Sequence, residues 1–373
     1  MLTLARHRVL GLMAAVMLLA GCQYDSILNQ LREDAEQNDS VAISFGNGVI
    51  DNPLRTRSSV SLLSQHTNTM GVWGWQTTQG GEVVCQFNNK NVTYDPDLAL
   101  WTYSPARYWD KGSSYRFYAY APHSSSVPNT AVYINDQTGH ITIQDVILNG
   151  CNTMSTQTRP APTGSFMDVD DIDWMIDRAG QIVSKENIYS RVTFNMQHIL
   201  AKFNVMIVAN STIISSGSTL TIDSLYIGQF MSKGSFTQKL DHSPVLGVLS
   251  DESAHEWTLD STHPRYSLQC IENLNVTTDA CCVIESLLLP QVMTDDIVLR
   301  LHYTIKTLGG HIEHYVFMIK LNEAFKDTDK FMSANNYTLT LLIGEDNNVI
   351  TFDSGSPVWD EVVNKDWIIK TDS

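Results

Sequence analysis

Residues 190–208 read SRVTFNMQHILAKFNVMIV. Val192, Phe194 and Met196 alternate with polar Thr193 and Asn195, and Ile199, Ala201, Phe203, Val205 and Ile207 continue the period-two pattern. Successive side chains of an extended chain point to opposite faces, so this alternation predicts a strand with one apolar face. It is the strongest strand signal in the chain and predicts one long strand. The same signal recurs on either side. YRFYAYA (115–121) alternates aromatic and small residues, as expected of a strand buried on both faces or at a sandwich edge. TLTIDSLYIGQF (219–230), CCVIESLLLP (281–290), DIVLRLHYTIK (296–306) and HIEHYVFMIKL (311–321) are all strand-like. The last two flank Leu308-Gly309-Gly310, where glycine supplies the positive φ of a tight hairpin. NYTLTLLIG (336–344) and NNVITF (347–352), separated by Glu345-Asp346, predict a second hairpin. No amphipathic helix intervenes, so an all-β architecture is expected, and short strands with polar turns favour sandwiches over a parallel α/β sheet. The polar stretch RAGQIVSKENIYS (178–190) marks a domain boundary near residue 185, although one hairpin loop would read the same way. No internal repeat of the solenoid or propeller kind is found.

Composition narrows the function. Of 373 residues, 43% are hydrophobic and 17% charged, which is not the make-up of a disordered chain. Lys and Arg number 24 against 40 Asp and Glu, a net charge of −16, which argues against a nucleic-acid partner because phosphate binding draws on Lys and Arg. At about 150 residues per domain the length predicts two domains. No apolar run is long enough to span a bilayer, and six Cys are too few for a disulfide scaffold.

The chain opens MLTLARHRVLGLMAAVMLLAGC. Arg6 and Arg8 form a positive n-region, Val9 to Leu19 a short apolar core, and Leu19-Ala20-Gly21-Cys22 closes the signal. That ending resembles the lipobox of bacterial lipoproteins, which implies removal of residues 1–21 and acylation of Cys22. Several acyl chains, each methylene contributing about 0.8 kcal/mol, would anchor the protein without a transmembrane helix. Gln23 stands where an Asp would retain many lipoproteins in the inner membrane, which favours the outer membrane. Residues 22–40 read as a polar tether, 41–185 as an N-terminal domain and 186–373 as a C-terminal domain.

Chemistry is sparse. There is no His-Glu-x-x-His, Gly-x-Ser-x-Gly, Walker loop or CxxC pair, so no enzyme and no cofactor is expected. In His311-Ile312-Glu313-His314 the first His and the Glu share a strand face while His314 points away, which reads as a hairpin tip rather than a metal site. Asp168-Val169-Asp170-Asp171-Ile172-Asp173 lacks the glycine and distal glutamate of an EF-hand and reads as a solvated loop leading into a strand from Ile172 to Ile176. Cys85, Cys151, Cys270, Cys281 and Cys282 read as hydrophobe-like thiols. Trp73, Trp75, Tyr94, Trp101, Tyr103, Tyr108 and Trp109 crowd one stretch and have two readings. They are core and loop packing, or a sugar-stacking platform with Trp73, Trp75, Trp101 and Trp109 as glycan contacts.

GVWGW (71–75), FNN and NVTYD within 87–95, WTYSPARYWDKGSSYRFYAYAP (101–122), DIDWMID (171–177), VTFNMQHILAKFNV (192–205) and the run from NYTLTLLIG to NNVITFDSGSPVW (336–359) together resemble the fimbrillin-like superfamily. These are subunits of type V pili of Gram-negative anaerobes, including minor-fimbrium-like proteins. The resemblance implies two transthyretin-like β-sandwich domains in tandem and export as a lipoprotein to the outer-membrane surface. It implies partners of the same family, joined head to tail, and surface receptors or glycans on a host or another bacterium. It also implies a mechanism. An Arg-specific protease removes an early strand, and a strand of the next subunit fills the groove by β-augmentation. Here VAISFGNGVI (41–50) is the candidate displaced strand, and cleavage is expected between Arg57 and Ser58, with Arg55 as the neighbouring option. The tail VVNKDWIIKTDS (362–373) reads either as a donor strand or as the last strand of its own domain. Asp25-Ser26-Ile27, Asp39-Ser40-Val41 and Asp223-Ser224-Leu225 resemble an O-glycosylation signature of related envelope proteins. The alternative, from a different class, is a monomeric glycan-binding surface lipoprotein.

Overall fold

The computed structural model describes residues 41–50, 61–135, 140–148, 171–177, 180–185, 190–239, 242–243, 247–248, 255–270, 273–325, 328–344 and 350–355. Strands β1 (Val49–Ile50), β2 (Ser61–Leu62), β3 (Thr69–Thr77), β4 (Val83–Asp95), β5 (Leu100–Thr102) and β6 (Ser114–Ala121) come first. They are followed by β7 (Ala131–Asn135), β8 (His140–Ile147), β9 (Met175–Asp177), β10 (Gln181–Val183) and β11 (Asn195–His198). Then come β12 (Ala201–Ala209), the short helix α1 (Ser211–Ser215), β13 (Thr219–Phe230), β14 (Lys233–Lys239), β15 (His242–Ser243), β16 (Gly247–Val248), β17 (His255–Leu259), β18 (Tyr266–Cys270), β19 (Leu274–Val276) and β20 (Cys281–Leu288). The chain continues through β21 (Val298–Lys306), β22 (Ile312–Lys320), α2 (Leu321–Ala324), β23 (Asn336–Ile343) and β24 (Ile350–Gly355). The fold is all-β, as the alternation predicts.

The first sheet runs β2-β1-β11-β9-β6-β3-β4-β5, with β10 paired to β6. Residues Val41 to Gly48 close it on itself, because Phe45 bridges both Trp101 of β5 and Val192 just before β11. The curled sheet encloses a core of Ile43, Phe45, Ile50, Leu63, Met70, Val72, Phe87, Val92, Trp101, Phe117, Val192, Phe194 and Met196, among others. A second core lies between β20-β12-β23-β24 and β18-β13-β21-β22, where Phe203, Val205 and Ile207 of β12 meet Leu225 and Ile227 of β13 and Leu299 and Leu301 of β21. β6 faces both. Phe117 and Ala119 point into the first core and Tyr118 and Tyr120 into the second, which is the doubly buried form of YRFYAYA.

Residues 190–208 depart from the one-strand expectation. They form β11 and β12, in different sheets, with Ile199 and Leu200 at the crossing. The inward positions are even-numbered through Met196 and odd-numbered from Ile199, so the alternation slips by one residue and the chain changes core there. Sheet pairing also crosses residue 185 in both directions. β11 lies in the first sheet, while β7 and β8 join β14 and β17 in the order β17-β14-β8-β7. The two predicted hairpins are present. β21 and β22 pair from Val298 opposite Lys320 to Lys306 opposite Ile312, with Gly310 at φ +83°, and β23 pairs antiparallel with β24. The strand after the acidic loop covers Met175–Asp177, later than the expected start at Ile172.

Candidate functional site

The place where the first sheet closes is built from VAISFGNGVI (41–50). Its apolar alternation turns Ile43 and Phe45 inward, and after the Phe45-Gly46 step the buried set becomes Gly46, Gly48 and Ile50. On one side the segment runs antiparallel to residues 101–109. The Trp109 N–H donates to Val41 O at 2.9 Å and the Ile43 N–H to Arg107 O at 2.8 Å. On the other side it runs parallel to residues 192–196. The Val192 N–H donates to Ser44 O at 2.9 Å, Gly46 N–H to Val192 O at 2.8 Å and Val49 N–H to Phe194 O at 3.0 Å. The segment is therefore a stave with a ladder on each edge, and without it the strands on its two sides face a gap lined by apolar side chains.

Phe45 is fully buried among four rings, with centroids at 5.5 Å to Phe87, 5.6 Å to Tyr103, 5.8 Å to Phe194 and 5.9 Å to Phe117. Such ring pairs add about 0.5–1.5 kcal/mol each beyond the area they bury. The Tyr103 hydroxyl donates to Ile43 O at 2.7 Å. Burial holds that phenol above its ordinary pKa, so it keeps the proton it donates at neutral pH. Asn47 reaches across to the chain beyond residue 60: its Oδ1 accepts from the Ser64 N–H at 3.1 Å and from the Trp101 indole at 3.3 Å, and its Nδ2 donates to Ser64 Oγ at 2.7 Å. Two glycines set how closely the stave lies. A Cβ at Gly46 would fall 2.7 Å from Thr193 Oγ1, and one at Gly48 would fall 3.0 Å from the Phe194 carbonyl.

β1 pairs antiparallel with β2, with Val49 opposite Leu62 and Ile50 opposite Ser61. The chain leaves at Ile50 and returns at Ser61 with both ends already hydrogen-bonded. Arg55, Arg57 and Ser58, the expected processing residues, fall between them and lie outside the described residues, as do Cys22 and the tail 356–373.

The aromatic cluster is placed differently from the glycan-platform reading. Trp73, Trp101 and Trp109 are 2%, 3% and 4% exposed, so their faces are occupied by protein. Trp73 packs with Tyr120 in the second core, Trp101 with Tyr94, and Trp109 edge-on against Tyr115 at 4.7 Å. Trp75 is half-buried against Tyr118. Interior volume is what Trp73, Trp101 and Trp109 fill, and Trp101 and Trp109 flank the stave. His311 and Glu313 share a face, 3.2 Å apart, while His314 bonds Thr304 on the other side, as alternation predicts. Asp173 binds His198 at 2.9 Å, so this residue of the acidic run pairs within the fold. Among the described residues no three His, Cys, Asp or Glu converge as a metal site. Tyr103 was singled out from sequence only as one of the crowded aromatics, and Asn47, Gly46 and Gly48 were not. The pattern Phe-Gly-Asn-Gly, two glycines behind a ring inside a strand, is the signal that marks them.

A family model described as fimbrillin-like matches residues 56–356. No curated protein matches the chain. The crystal structure of a fimbrial protein from Bacteroides vulgatus superimposes with a TM-score of 0.56 at 14% identity, covering 85% of this chain and 99% of that one. A candidate cell adhesion protein from Bacteroides ovatus gives a TM-score of 0.45 at 15% identity, covering 87% and 99%, and another from Bacteroides uniformis 0.40 at 16%, covering 85% and 98%. At these identities the likeness to the fimbrial protein is one of fold.

Proposed function

The chain belongs to the fimbrillin-like family, and on that premise we propose that it is a surface lipoprotein that serves as a structural or adhesive subunit, or as the anchor, of a type V pilus. Family membership supports a pilus-subunit or adhesin role at the cell surface and assembly with other fimbrial subunits. The finer steps are our reading. The signal is removed before Cys22, which carries the lipid in the outer membrane. An Arg-specific protease cuts after Arg57, with Arg55 as the neighbouring option. Residues 41–50 are then exchanged for a strand of the adjoining subunit, and repetition head to tail gives a filament.

One observation carries this reading. Residues 41–50 fill a two-sided slot as a discrete stave, and the arginine-bearing connection begins at the next residue. Cutting that connection frees the stave to be exchanged for another strand. The burial of Trp73, Trp101 and Trp109 removes support from the monomeric glycan-binding alternative.

The test is to treat the purified chain, freed of residues 1–21, with an Arg-specific protease. The expected result is a new N-terminus at Ser58 and SDS-resistant ladders or filaments. A chain left uncut in 51–60 and monomeric under those conditions overturns the assembly mechanism. Replacing Cys22 with Ser is expected to abolish lipid labelling and membrane recovery, and persistent labelling overturns the anchor.

A further inference from the structure

We infer that the slot occupied by residues 41–50 selects its occupant by a frame. The frame is an aliphatic side chain at the seat of Ile43, a ring at the seat of Phe45, no Cβ at the seats of Gly46 and Gly48, and an aliphatic side chain at the seat of Ile50. The occupant in an assembly is accordingly an extended segment of another fimbrillin-type subunit whose sequence meets these seats, and not the C-terminal tail of a second copy of this chain. This inference rests on the exchange reading above and names the partner that reading requires.

The glycine seats are the discriminating part. At Gly46 a Cβ would meet Thr193 Oγ1 at 2.7 Å and Arg191 Cδ at 2.9 Å. Those are side-chain atoms, and accommodating a methyl there means displacing both. At Gly48 the obstacle is the Phe194 carbonyl oxygen at 3.0 Å, which also accepts the Val49 N–H. Moving that carbonyl strains the parallel ladder that seats the strand. Both glycines are buried, so a larger side chain cannot swing out to solvent. The ring seat is equally defined: Phe45 fills a box of four aromatic side chains with no exposed surface left.

The sequence of 356–373, SPVWDEVVNKDWIIKTDS, does not meet this frame in either direction. With Trp359 in the ring seat, the two glycine seats receive Asp360 and Val362 read forward, or Val358 and Ser356 read backward. With Trp367 there, they receive Ile368 and Lys370, or Asp366 and Asn364. Every choice places a Cβ in both seats, and most add a charge or a branched side chain.

The experiment uses the chain without its signal, with Cys22→Ser and a single specific protease site installed at Arg57, nicked to completion. Fluorescein-labelled VAISFGNGVI is exchanged into the nicked protein, and unlabelled peptides compete. The native peptide is expected to compete. Peptides carrying Gly46→Val or Gly48→Val are expected to compete about 10-fold or more less well, as for an overpacked interior site. A peptide of residues 356–373 is expected not to compete at concentrations where the native peptide displaces half of the label. Valine peptides or the tail peptide competing within about twofold of the native one would overturn the frame while leaving exchange standing. Failure of the native peptide itself to enter the nicked protein would overturn the exchange reading and the frame with it.

Discussion

Replacing Phe45 with Ala empties the most enclosed position of the stave. Its ring has no exposed surface and lies within 6 Å of four other rings. Truncating a buried Phe to Ala costs about 3–5 kcal/mol, the spread reflecting how far the site collapses. Five aromatic side chains converge here on a closed sheet, so collapse is limited and about 4 kcal/mol is the expected loss. That is a large part of the 5–15 kcal/mol that stabilises an ordinary domain. In the intact chain the loss appears in urea unfolding followed by tryptophan fluorescence, since Trp101 and Trp109 lie beside the stave. In a chain nicked after Arg57 the same energy acts on retention of the cut segment, where it corresponds to roughly a thousandfold weaker hold. Gel filtration of the nicked protein measures how much of the segment stays bound. A Phe45→Ala chain within about 1 kcal/mol of the parent, retaining the nicked segment equally well, would refute the argument that the ring box holds the stave.

Tyr103→Phe leaves Ile43 O without its side-chain donor and is expected to cost about 1–2 kcal/mol in the same unfolding assay. Gly310→Ala isolates a backbone effect, because nothing lies within 4 Å of the added carbon while φ is +83°; a loss of about 1–2 kcal/mol is expected from thermal or urea unfolding. His123 is held below its ordinary value of 6.5, first by burial and against a backbone bond to Asn89, so the neutral ring is the folded form. Its Nδ1 accepts the Ser125 N–H. The unfolded chain therefore binds the proton more readily, and stability present at neutral pH is lost as pH falls through about 6.5 toward the lower folded value. His123→Asn should flatten that part of a stability profile between pH 7 and 5, and an unchanged slope would count against the assignment.

Much of the fold is legible in the sequence, for reasons that differ between elements. The hairpin at Leu308-Gly309-Gly310 is read correctly because turn chemistry and flanking alternation agree locally. YRFYAYA is recognisable because both of its faces are apolar, whichever neighbours cover them. Residues 190–208 mislead because alternation reports strand character without reporting which core each face meets. Only the one-residue slip between Met196 and Ile199 marks the change of sheet. The site is legible in part. VAISFGNGVI stands out as a strand ahead of two arginines, but its walls at 87, 101–109, 117 and 192–194 come from distant segments that only the closed sheet assembles. Trp73, Trp101 and Trp109 show the converse, since aromatic density alone does not separate a platform from a packed interior.

The crossing from β11 to β12 also makes the molecule a tensile member. A pull on whatever strand occupies the slot bears on residues 192–196 through parallel hydrogen bonds. The backbone carries that load within a few residues into β12, which is in turn paired in parallel with β23 from Lys202 opposite Asn336 to Ala209 opposite Ile343. Parallel strands drawn apart along their length load their bonds together in shear, whereas a hairpin pulled from its open end gives way bond by bond. In a filament of such subunits the slipped alternation in residues 190–208 would thus place the joint and the body of each link on one continuous cable.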